Sequence, residues 1–244
     1  LRLPYDAVYR ALVRAKVAVL RVNSDGGDAA HAALARQEAL RYIHLAADLA
    51  RPRQPWLVLT HGVSGSGKSS QSQGLIEQSG LARVRADVER KRLFGLLPEA
   101  SSASIPGGIY TRSASDQTFA RLLDVARTAL QAGQPVLVDA TFIQRERRTP
   151  FIELAQQRGV PWCILSFNAP EHVLRERVRQ RQACGGDASE AGEAVLSDQL
   201  AHIDSFTADE QAHVLHLDTT HAVDWSAQSP LWPQLQQVLS LAAQ

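Results

Sequence analysis

Two hydrophobic patterns divide the chain. Up to residue 50, apolar side chains recur at helical spacing and predict amphipathic helices over 5–22 and 31–50. The predicted apolar faces consist of Val8, Leu12, Ala15, Val19 and Val22 in the first helix and of Leu34, Leu40, Ile43 and Ala47 in the second. The turn-rich segment 23–28 between them indicates a helical hairpin, and the proline-containing segment 51–55 indicates a linker.

Beyond the linker, short apolar runs alternate with helical segments, which is typical of a mostly parallel sheet covered by helices on both faces. The predicted strands are 56–60, 82–86, 136–139, 162–167 and 213–217. The predicted helices are 67–78, 87–95, 115–132, 145–158, 170–183, 189–203 and 232–242. The sequence therefore predicts a helical hairpin over 1–50, followed by an α/β domain over 51–244.

A glycine-rich motif follows the first predicted strand. Residues 62–69 read Gly-Val-Ser-Gly-Ser-Gly-Lys-Ser and match G-x-x-x-x-G-K-S/T, with a strand before and a helix after. The glycines let backbone N–H groups surround a phosphate, Lys68 would reach the β- and γ-phosphates of ATP, and the Ser69 hydroxyl would bind Mg²⁺. The predicted nucleotide-binding residues are Gly62, Ser64, Gly65, Ser66, Gly67, Lys68, Ser69 and Ser70. The domain is therefore predicted to be a P-loop NTPase-type sheet that uses ATP and Mg²⁺.

A second candidate for the metal site ends the third predicted strand. Asp139 follows Val136-Leu137-Val138 and is suited to hold Mg²⁺, or its water shell, next to Ser69. Thr141 is a further candidate for the same site. In the alternative interpretation, Asp139 only caps a helix at the end of a strand.

Asp87 follows the second predicted strand, and Arg90 lies one helical turn further along on the same face. A carboxylate at this end of a strand can accept the proton of a substrate hydroxyl while the hydroxyl oxygen attacks phosphorus. Arg90 could hold an anionic part of the substrate or orient Asp87. The alternative is an N-cap aspartate with a surface ion pair.

Four arginines lie in the predicted helix 170–183, at positions 175, 177, 179 and 181. Arg177 and Arg181 share one helical face. A closing lid that brought these guanidinium groups over the γ-phosphate would offset the negative charge of the transition state. The alternative is a solvated helix whose arginines only add solubility.

Composition narrows the choice of partners. The formal net charge is +1, and no segment reads as a basic tail, so nothing favours nucleic acid or an anionic membrane as a partner. Apolar runs of about 18 residues are absent from the sequence, and two cysteines fit a reducing compartment, which predicts a cytoplasmic protein. The chain starts at Leu1 directly in a helical pattern and contains no methionine, which predicts a piece of a longer polypeptide.

These motifs resemble known families. From residue 62 to about 219, the order of the motifs resembles the P-loop kinase branch that includes polynucleotide kinase, gluconate kinase, chloramphenicol phosphotransferase and zeta-toxin kinases. The spacing Asp87-x-x-Arg90 is similar to that branch's pair of a catalytic base and an arginine. The segments 85–95, 138–142 and 186–189 more closely resemble the C-terminal ATP-binding domain, of the AAA_33 type, of bifunctional aminoglycoside phosphotransferase/ATP-binding proteins.

The resemblance implies an upstream phosphotransferase-like domain, and residues 5–16 are similar to its closing helices. The catalytic loop of such a domain, an H-x-D followed by Asn, has no counterpart here, so this chain is expected to lack that first activity. The resemblance also places the loop 101–110 where related kinases bind acceptors, with Tyr110 and Arg112 as candidate contacts.

Together these features predict a kinase that transfers the γ-phosphoryl group of ATP to a hydroxyl group of a small molecule such as a sugar, a nucleotide or an antibiotic. Two alternatives stay open, namely an ATP-dependent regulatory module for the upstream domain and a zeta-toxin-like kinase of nucleotide sugars. A GTPase switch is disfavoured, because N-K-x-D does not occur and Asp139 is followed by Ala140-Thr141-Phe142 rather than by the D-x-x-G pattern.

Overall fold

The computed structural model describes residues 3–24, 29–50, 54–103, 105, 108–184 and 188–241. Parts of the predicted connector (25–28), the linker (51–53), the loop 101–110 (104, 106 and 107) and the resembling segment 186–189 (186 and 187) lie outside the described residues, as does residue 185. The chain separates into two compact units, Leu1–Arg53 and Gln54–Gln244. Among the described residues, no helix combines the length and the apolar character needed to span a bilayer.

The first unit is a pair of helices of 22 residues each, α1 (Leu3–Ser24) and α2 (Ala29–Ala50). The side chains that become buried in it are small, namely Ala11, Ala15, Ala18, Ala39 and Ala46. The predicted apolar faces were therefore largely wrong, since Leu12, Val19, Leu34, Leu40 and Ile43 are exposed. Alanine has no bulk beyond Cβ, so the faces that carry it allow the closest approach of two helices, and the larger apolar side chains stay outside.

The second unit is an α/β domain. Its strands are β1 (Leu57–His61), β2 (Ala82–Arg85), β3 (Val136–Asp139), β4 (Trp162–Asn168) and β5 (Val214–Asp218). Its helices are α3 (Lys68–Gln71), α4 (Gln73–Ser79), α5 (Ala86–Leu93), α6 (Arg112–Gln131), α7 (Arg145–Gln157), α8 (Glu171–Cys184), α9 (Glu193–Ala201), α10 (Ala208–Gln211) and α11 (Leu231–Leu241). The predicted α/β class, with a helical hairpin before a parallel sheet, is confirmed.

All strand pairs of the sheet are parallel, in the order β2-β3-β1-β4-β5. Leu57 of β1 lies opposite Val136 of β3 and Trp162 of β4, so β1 occupies the centre of the sheet. Parallel strands end at the same edge, so the segments after β1, β2 and β3 meet there. These three segments carry the phosphate-binding motif, Asp87 and Asp139.

Alternate residues of a strand point to opposite faces of the sheet, and helices cover both faces. Leu57 and Leu59 belong to the core cluster that includes α6 and α7, whereas Val58 belongs to the cluster that includes α4 and α11. A strand buried on both faces reads as a continuous apolar run, which is why β1 and β3 were predictable from sequence. Each fully buried Leu or Val contributes about 1.5–3 kcal/mol by leaving water.

The short helix α10 was not predicted. Thr207 accepts a hydrogen bond from the Glu210 N–H while the Glu210 carboxylate accepts one from the Thr207 N–H, which forms a capping box. Glu210 also pairs with the fully buried Arg148 of α7, at 2.7 Å from its Nε and 3.0 Å from its Nη2. This two-point ion pair ties the start of α7, just beyond the Asp139 strand, to the segment before β5.

Candidate active site

The loop between β1 and α3 depends on three glycines with positive φ. The φ angles are 141° at Gly62, 81° at Gly65 and 81° at Gly67, and Gly67 is the N-cap of α3. Residues that have a Cβ atom rarely adopt such positive φ angles. Glycines at these positions let the loop turn so that backbone N–H groups can converge on one anion.

Gly65 also lies against helix α8, and this packing predicts the effect of adding a side chain there. A Cβ at Gly65 would lie 2.6 Å from the Leu174 carbonyl oxygen and 3.2 Å from a Val178 methyl carbon, whereas a Cβ at Gly95, also at positive φ, meets nothing within 4 Å. We expect Gly65→Ala to lower the free energy of unfolding by about 2–4 kcal/mol and Gly95→Ala by only about 1 kcal/mol. Urea denaturation of both variants measures the difference, and equal losses would contradict the predicted clash.

Lys68 lies at the start of α3, and its Nζ donates a hydrogen bond to the Val63 carbonyl oxygen at 2.8 Å. Burial of the ammonium group lowers the pKa of Lys68 to about 8, although the carboxylates of Asp139 and Asp87 act in the opposite direction. A desolvated ammonium group beside the glycine-rich loop attracts phosphate oxygens strongly.

The metal candidates Ser69 and Asp139 are in direct contact. The Ser69 Oγ donates to Asp139 Oδ2 at 2.7 Å, and Arg85 Nε lies 3.8 Å from the same carboxylate oxygen. Within the described part of the chain, His, Cys, Asp and Glu do not gather in groups of three or more that could hold a metal ion. A hydroxyl and one carboxylate are a donor set that suits Mg²⁺, which takes its remaining ligands from phosphates and water. Thr141 lines the same cleft.

One cleft of about 720 Å³ is lined by most of the residues predicted to form the active site. Its lining includes Asp87, Arg90, Asp139, Arg177 and Arg181, together with six of the eight predicted nucleotide-binding residues, namely Ser64, Gly65, Gly67, Lys68, Ser69 and Ser70. Gly62 and Ser66 belong to the same loop but do not line the cleft. The Gly62 N–H donates to the Thr141 carbonyl oxygen at 3.0 Å, and the Ser66 carbonyl oxygen accepts from the Thr219 hydroxyl at 2.9 Å.

Neither aspartate acts as a helix cap. Arg85 is the N-cap of α5, so Asp87 lies within the first turn of the helix and lines the cleft. Gln144 is the N-cap of α7, and Asp139 is bonded to Ser69 instead. The capping alternatives from the sequence therefore do not apply to these two residues.

The four arginines of α8 separate into two pairs. Arg177 Nη2 donates to the Thr219 carbonyl oxygen at 2.6 Å, and Arg181 Nη2 donates to the Ala191 carbonyl oxygen at 2.6 Å, so both side chains lie along the cleft wall. Arg175 and Arg179 instead pair with glutamates on the outer side, at 2.7 Å from Glu171 and 2.6 Å from Glu193. The face shared by Arg177 and Arg181 is the one that faces the cleft.

Several cleft residues had no signal in the sequence. Gln199 of α9 accepts a hydrogen bond from the Ser64 N–H at 2.7 Å, but a single glutamine on a helix carries no signature. Arg147 lines the cleft and pairs with Asp116 at 2.5 Å, and only the basic cluster at the start of α7 could have indicated it. Of the two acceptor candidates, Tyr110 lines the cleft, whereas Arg112 is exposed at the first position of α6 and is not part of the lining.

Tyr110 is fixed from two sides. Its hydroxyl oxygen accepts a hydrogen bond from the Glu190 N–H at 3.0 Å, and its ring lies 4.9 Å from the Arg90 guanidinium carbon. Burial raises the pKa of Tyr110 to about 12, so its hydroxyl stays protonated at neutral pH. The ring therefore forms a fixed wall beside Arg90.

The sequence of this chain is similar to one described protein family and to proteins of two mycobacteria. The AAA_33 family model, described as an AAA domain, matches residues 57–206. Uncharacterized proteins of Mycobacterium tuberculosis and Mycobacterium bovis are 27% identical over 199 residues, an alignment that covers 81% of this chain and 39% of theirs. The chain thus spans well under half the length of these curated relatives.

Two solved structures resemble the domain. A Chloroflexus aurantiacus protein described as a candidate kinase matches with a TM-score of 0.58 and 22% identity over 77% of this chain and 100% of its own. An unliganded sugar kinase from a Janibacter species matches with a TM-score of 0.51 and 21% identity over 77% of this chain and 93% of its own. At these identities the two matches show a shared fold, the kinase-like P-loop architecture.

Proposed function

This chain belongs to the AAA_33 family, and from that membership we propose that it binds ATP with Mg²⁺ and transfers the γ-phosphoryl group to a hydroxyl group of a small molecule. One observation carries the proposal. A single cleft combines a glycine-rich phosphate loop, a serine–aspartate pair suited to Mg²⁺ and a further carboxylate, that of Asp87 in the first turn of α5. Nucleotide binding alone would require only the first two.

In the transfer step, Asp87 acts as the base. As the acceptor hydroxyl oxygen forms a bond to the γ-phosphorus, the bond from that phosphorus to the β–γ bridging oxygen breaks, and ADP leaves with the electron pair. The hydroxyl proton passes to the Asp87 carboxylate. The phosphate loop follows β1 and Asp87 follows β2, and both line the cleft, so one cleft can hold the nucleotide and the acceptor.

Ser69 and Asp139 would hold the magnesium ion, whose chemistry is to neutralise charge on the phosphate oxygens. We expect Asp139→Asn to raise the Mg²⁺ concentration needed for half-maximal turnover by about 10- to 100-fold, because it removes the only full negative charge of the pair. Turnover measured against Mg²⁺ concentration tests this. Asp209→Asn, at an exposed position of α10 outside the cleft lining, serves as the control. Equal Mg²⁺ requirements in both variants would exclude Asp139 from the metal site.

The lid arginines give a matched comparison on one helix. We expect Arg177→Gln or Arg181→Gln to lower kcat by about 10²- to 10³-fold, because each removes a positive charge beside the phosphate loop. Arg175→Gln and Arg179→Gln remove the same charge from the outer face, where both residues pair with glutamates, and should change kcat less than about twofold. Similar losses in all four variants would show that the effect comes from lid stability rather than from charge at the cleft.

The proposal is tested by measuring ATP consumption with a panel of hydroxyl compounds and identifying the phosphorylated product. Formation of a phosphate ester supports a kinase. If ATP binds but no compound is phosphorylated, the regulatory alternative is favoured, and it predicts that nucleotide alters the activity of a partner domain. Growth arrest on expression would favour the zeta-toxin-like alternative. An upstream phosphotransferase-like domain and a cytoplasmic location stay predictions.

A further inference from the structure

Lys91 of α5 is a charged residue with only 1% of its surface exposed. Its Nζ donates a hydrogen bond to the Pro98 carbonyl oxygen at 2.9 Å and lies 3.0 Å from Oε1 of Glu190, in the segment before α9. A buried ammonium group needs an opposite charge, because water no longer solvates it. Glu190 supplies this charge and thereby ties the helix that carries Asp87 to the segment before α9.

Glu190 also holds residues of the loop 101–110. Its carboxylate accepts hydrogen bonds from the Ser102 N–H, at 3.0 Å from Oε1, and from the Ser102 hydroxyl. Its own N–H donates to the Tyr110 hydroxyl at 3.0 Å. Burial acts to raise the pKa of Glu190, but the hydrogen bonds from Ser102 and Lys91 hold this pKa below its usual value, so the carboxylate is charged at neutral pH. One residue thus joins α5, the loop and the segment before α9.

The next residue, Ala191, is bonded to α8. Its carbonyl oxygen accepts a hydrogen bond from Arg181 Nη2 at 2.6 Å, and Arg181 lines the same cleft as the phosphate loop. A guanidinium group carries five N–H donors in a planar fork, so Arg181 can bind a phosphate group while it keeps this bond. A phosphate that fixes Arg181 would therefore also fix Ala191 and, through the peptide bond, Glu190.

We propose that Glu190 is a positioning residue, through which nucleotide bound beside Arg181 orders α5 and the loop 101–110. These are the elements that bring Asp87 and Tyr110 to the cleft. The inference rests on the proposed function for the binding of Mg·ATP but not for the transfer step. The alternative is that the Lys91–Glu190 pair only stabilises the fold, in which case bound nucleotide leaves the loop unchanged.

Hydrogen exchange measures this coupling at the bonds themselves. The exchange of backbone amides is followed by mass spectrometry, with and without saturating Mg²⁺ and a non-hydrolysable ATP analogue. The readout is the segment 98–103, which contains the Ser102 N–H and does not line the cleft, so the nucleotide does not shield it directly. We expect the nucleotide to slow exchange in this segment by about 5- to 100-fold, the size of typical coupling between two sites. The phosphate loop, residues 62–69, should be protected in the same samples.

Two pairs of variants assign the coupling to this path. The double variant Lys91→Met/Glu190→Leu removes both charges together, so that no unpaired charge stays buried, and should abolish the slowing in 98–103 while the phosphate loop stays protected. Its control is Glu193→Leu, because Glu193 pairs with Arg179 on the outer side of α8. Arg181→Ala should abolish the slowing from the other end of the path, whereas Arg179→Ala on the same helix should retain it. This second pair decides the matter even if the double variant does not fold.

The outcomes separate this inference from the proposed function. Protection of the phosphate loop without slower exchange in 98–103 of the wild type would overturn the inference, as would slowing that survives the double variant or Arg181→Ala. If the nucleotide changed exchange in neither segment, ATP binding would be contradicted, and the proposed function and the inference would both fail. Coupling without any phosphorylated product, when ATP replaces the analogue, would contradict the kinase and leave the inference standing.

Discussion

Replacing Lys68 with alanine is expected to weaken the binding of Mg·ATP by about 100-fold or more and to lower kcat by about 10³-fold. The ammonium group, at the start of α3, donates a hydrogen bond to the Val63 carbonyl oxygen and can turn from it toward a bound phosphate. Isothermal titration calorimetry measures the affinity, and a coupled assay measures kcat. Lys16→Ala is the control, because Lys16 is exposed in the helical hairpin. Unchanged affinity in Lys68→Ala would contradict a phosphate role for this side chain.

The pH dependence of ATP binding gives a second readout for Lys68. Burial lowers its pKa to about 8, so in the free protein the amine is charged below pH 8 and becomes neutral above it. A bound phosphate favours the charged form, and affinity should therefore fall by up to about tenfold per pH unit above pH 8. In Lys68→Ala this component of the pH dependence should be absent. Identical pH profiles in the two proteins would show that another group titrates.

Replacing Asp87 with asparagine is expected to reduce phosphoryl transfer by about 10²- to 10⁴-fold while Mg·ATP binds with unchanged affinity. Asparagine keeps the shape of the side chain but cannot accept the hydroxyl proton. Asp87 lies in α5 rather than in the phosphate loop or the Ser69–Asp139 pair, which is the reason that Mg·ATP binding should be preserved. Single-turnover kinetics with a substrate found in the hydroxyl panel measure the transfer step.

Asp124→Asn is the control for this variant, because Asp124 is an exposed residue of α6 that pairs with Arg127 at 2.6 Å. It should leave transfer within about twofold of the wild-type rate, as expected for an exposed ion pair. If Asp87→Asn transfers phosphate as fast as this control, the hydroxyl proton leaves by another route and Asp87 is not the base.

The sequence predicted the parts of the domain that depend on local pattern. Strands β1 and β3 are continuous apolar runs, and the phosphate loop contains glycines where positive φ is required. Because both strands are central and parallel, their ends had to meet at one edge, which brought Ser69 and Asp139 together. Helical spacing likewise separated Arg177 and Arg181 from Arg175 and Arg179.

Features that depend on long-range packing were not predictable. In the hairpin, hydrophobicity favoured Leu12 and Ile43 for the interface, whereas close approach of the helices selected the alanines. The contact between Gln199 and the Ser64 N–H joins residues 135 positions apart, and neither residue signals the other. The burial of Arg90 depends on its contacts with the segment around Ile109 and Tyr110, which no local pattern indicates.

A crystal structure of the protein with Mg²⁺ and a non-hydrolysable ATP analogue would show whether the glycine-rich loop and the Ser69–Asp139 pair bind Mg·ATP. We expect the β-phosphate inside the loop of residues 62–69, Lys68 Nζ bonded to the phosphates instead of to the Val63 carbonyl oxygen, and the metal at Ser69 and Asp139. A nucleotide bound elsewhere, or a Lys68 still bonded to Val63 beside a bound nucleotide, would contradict it.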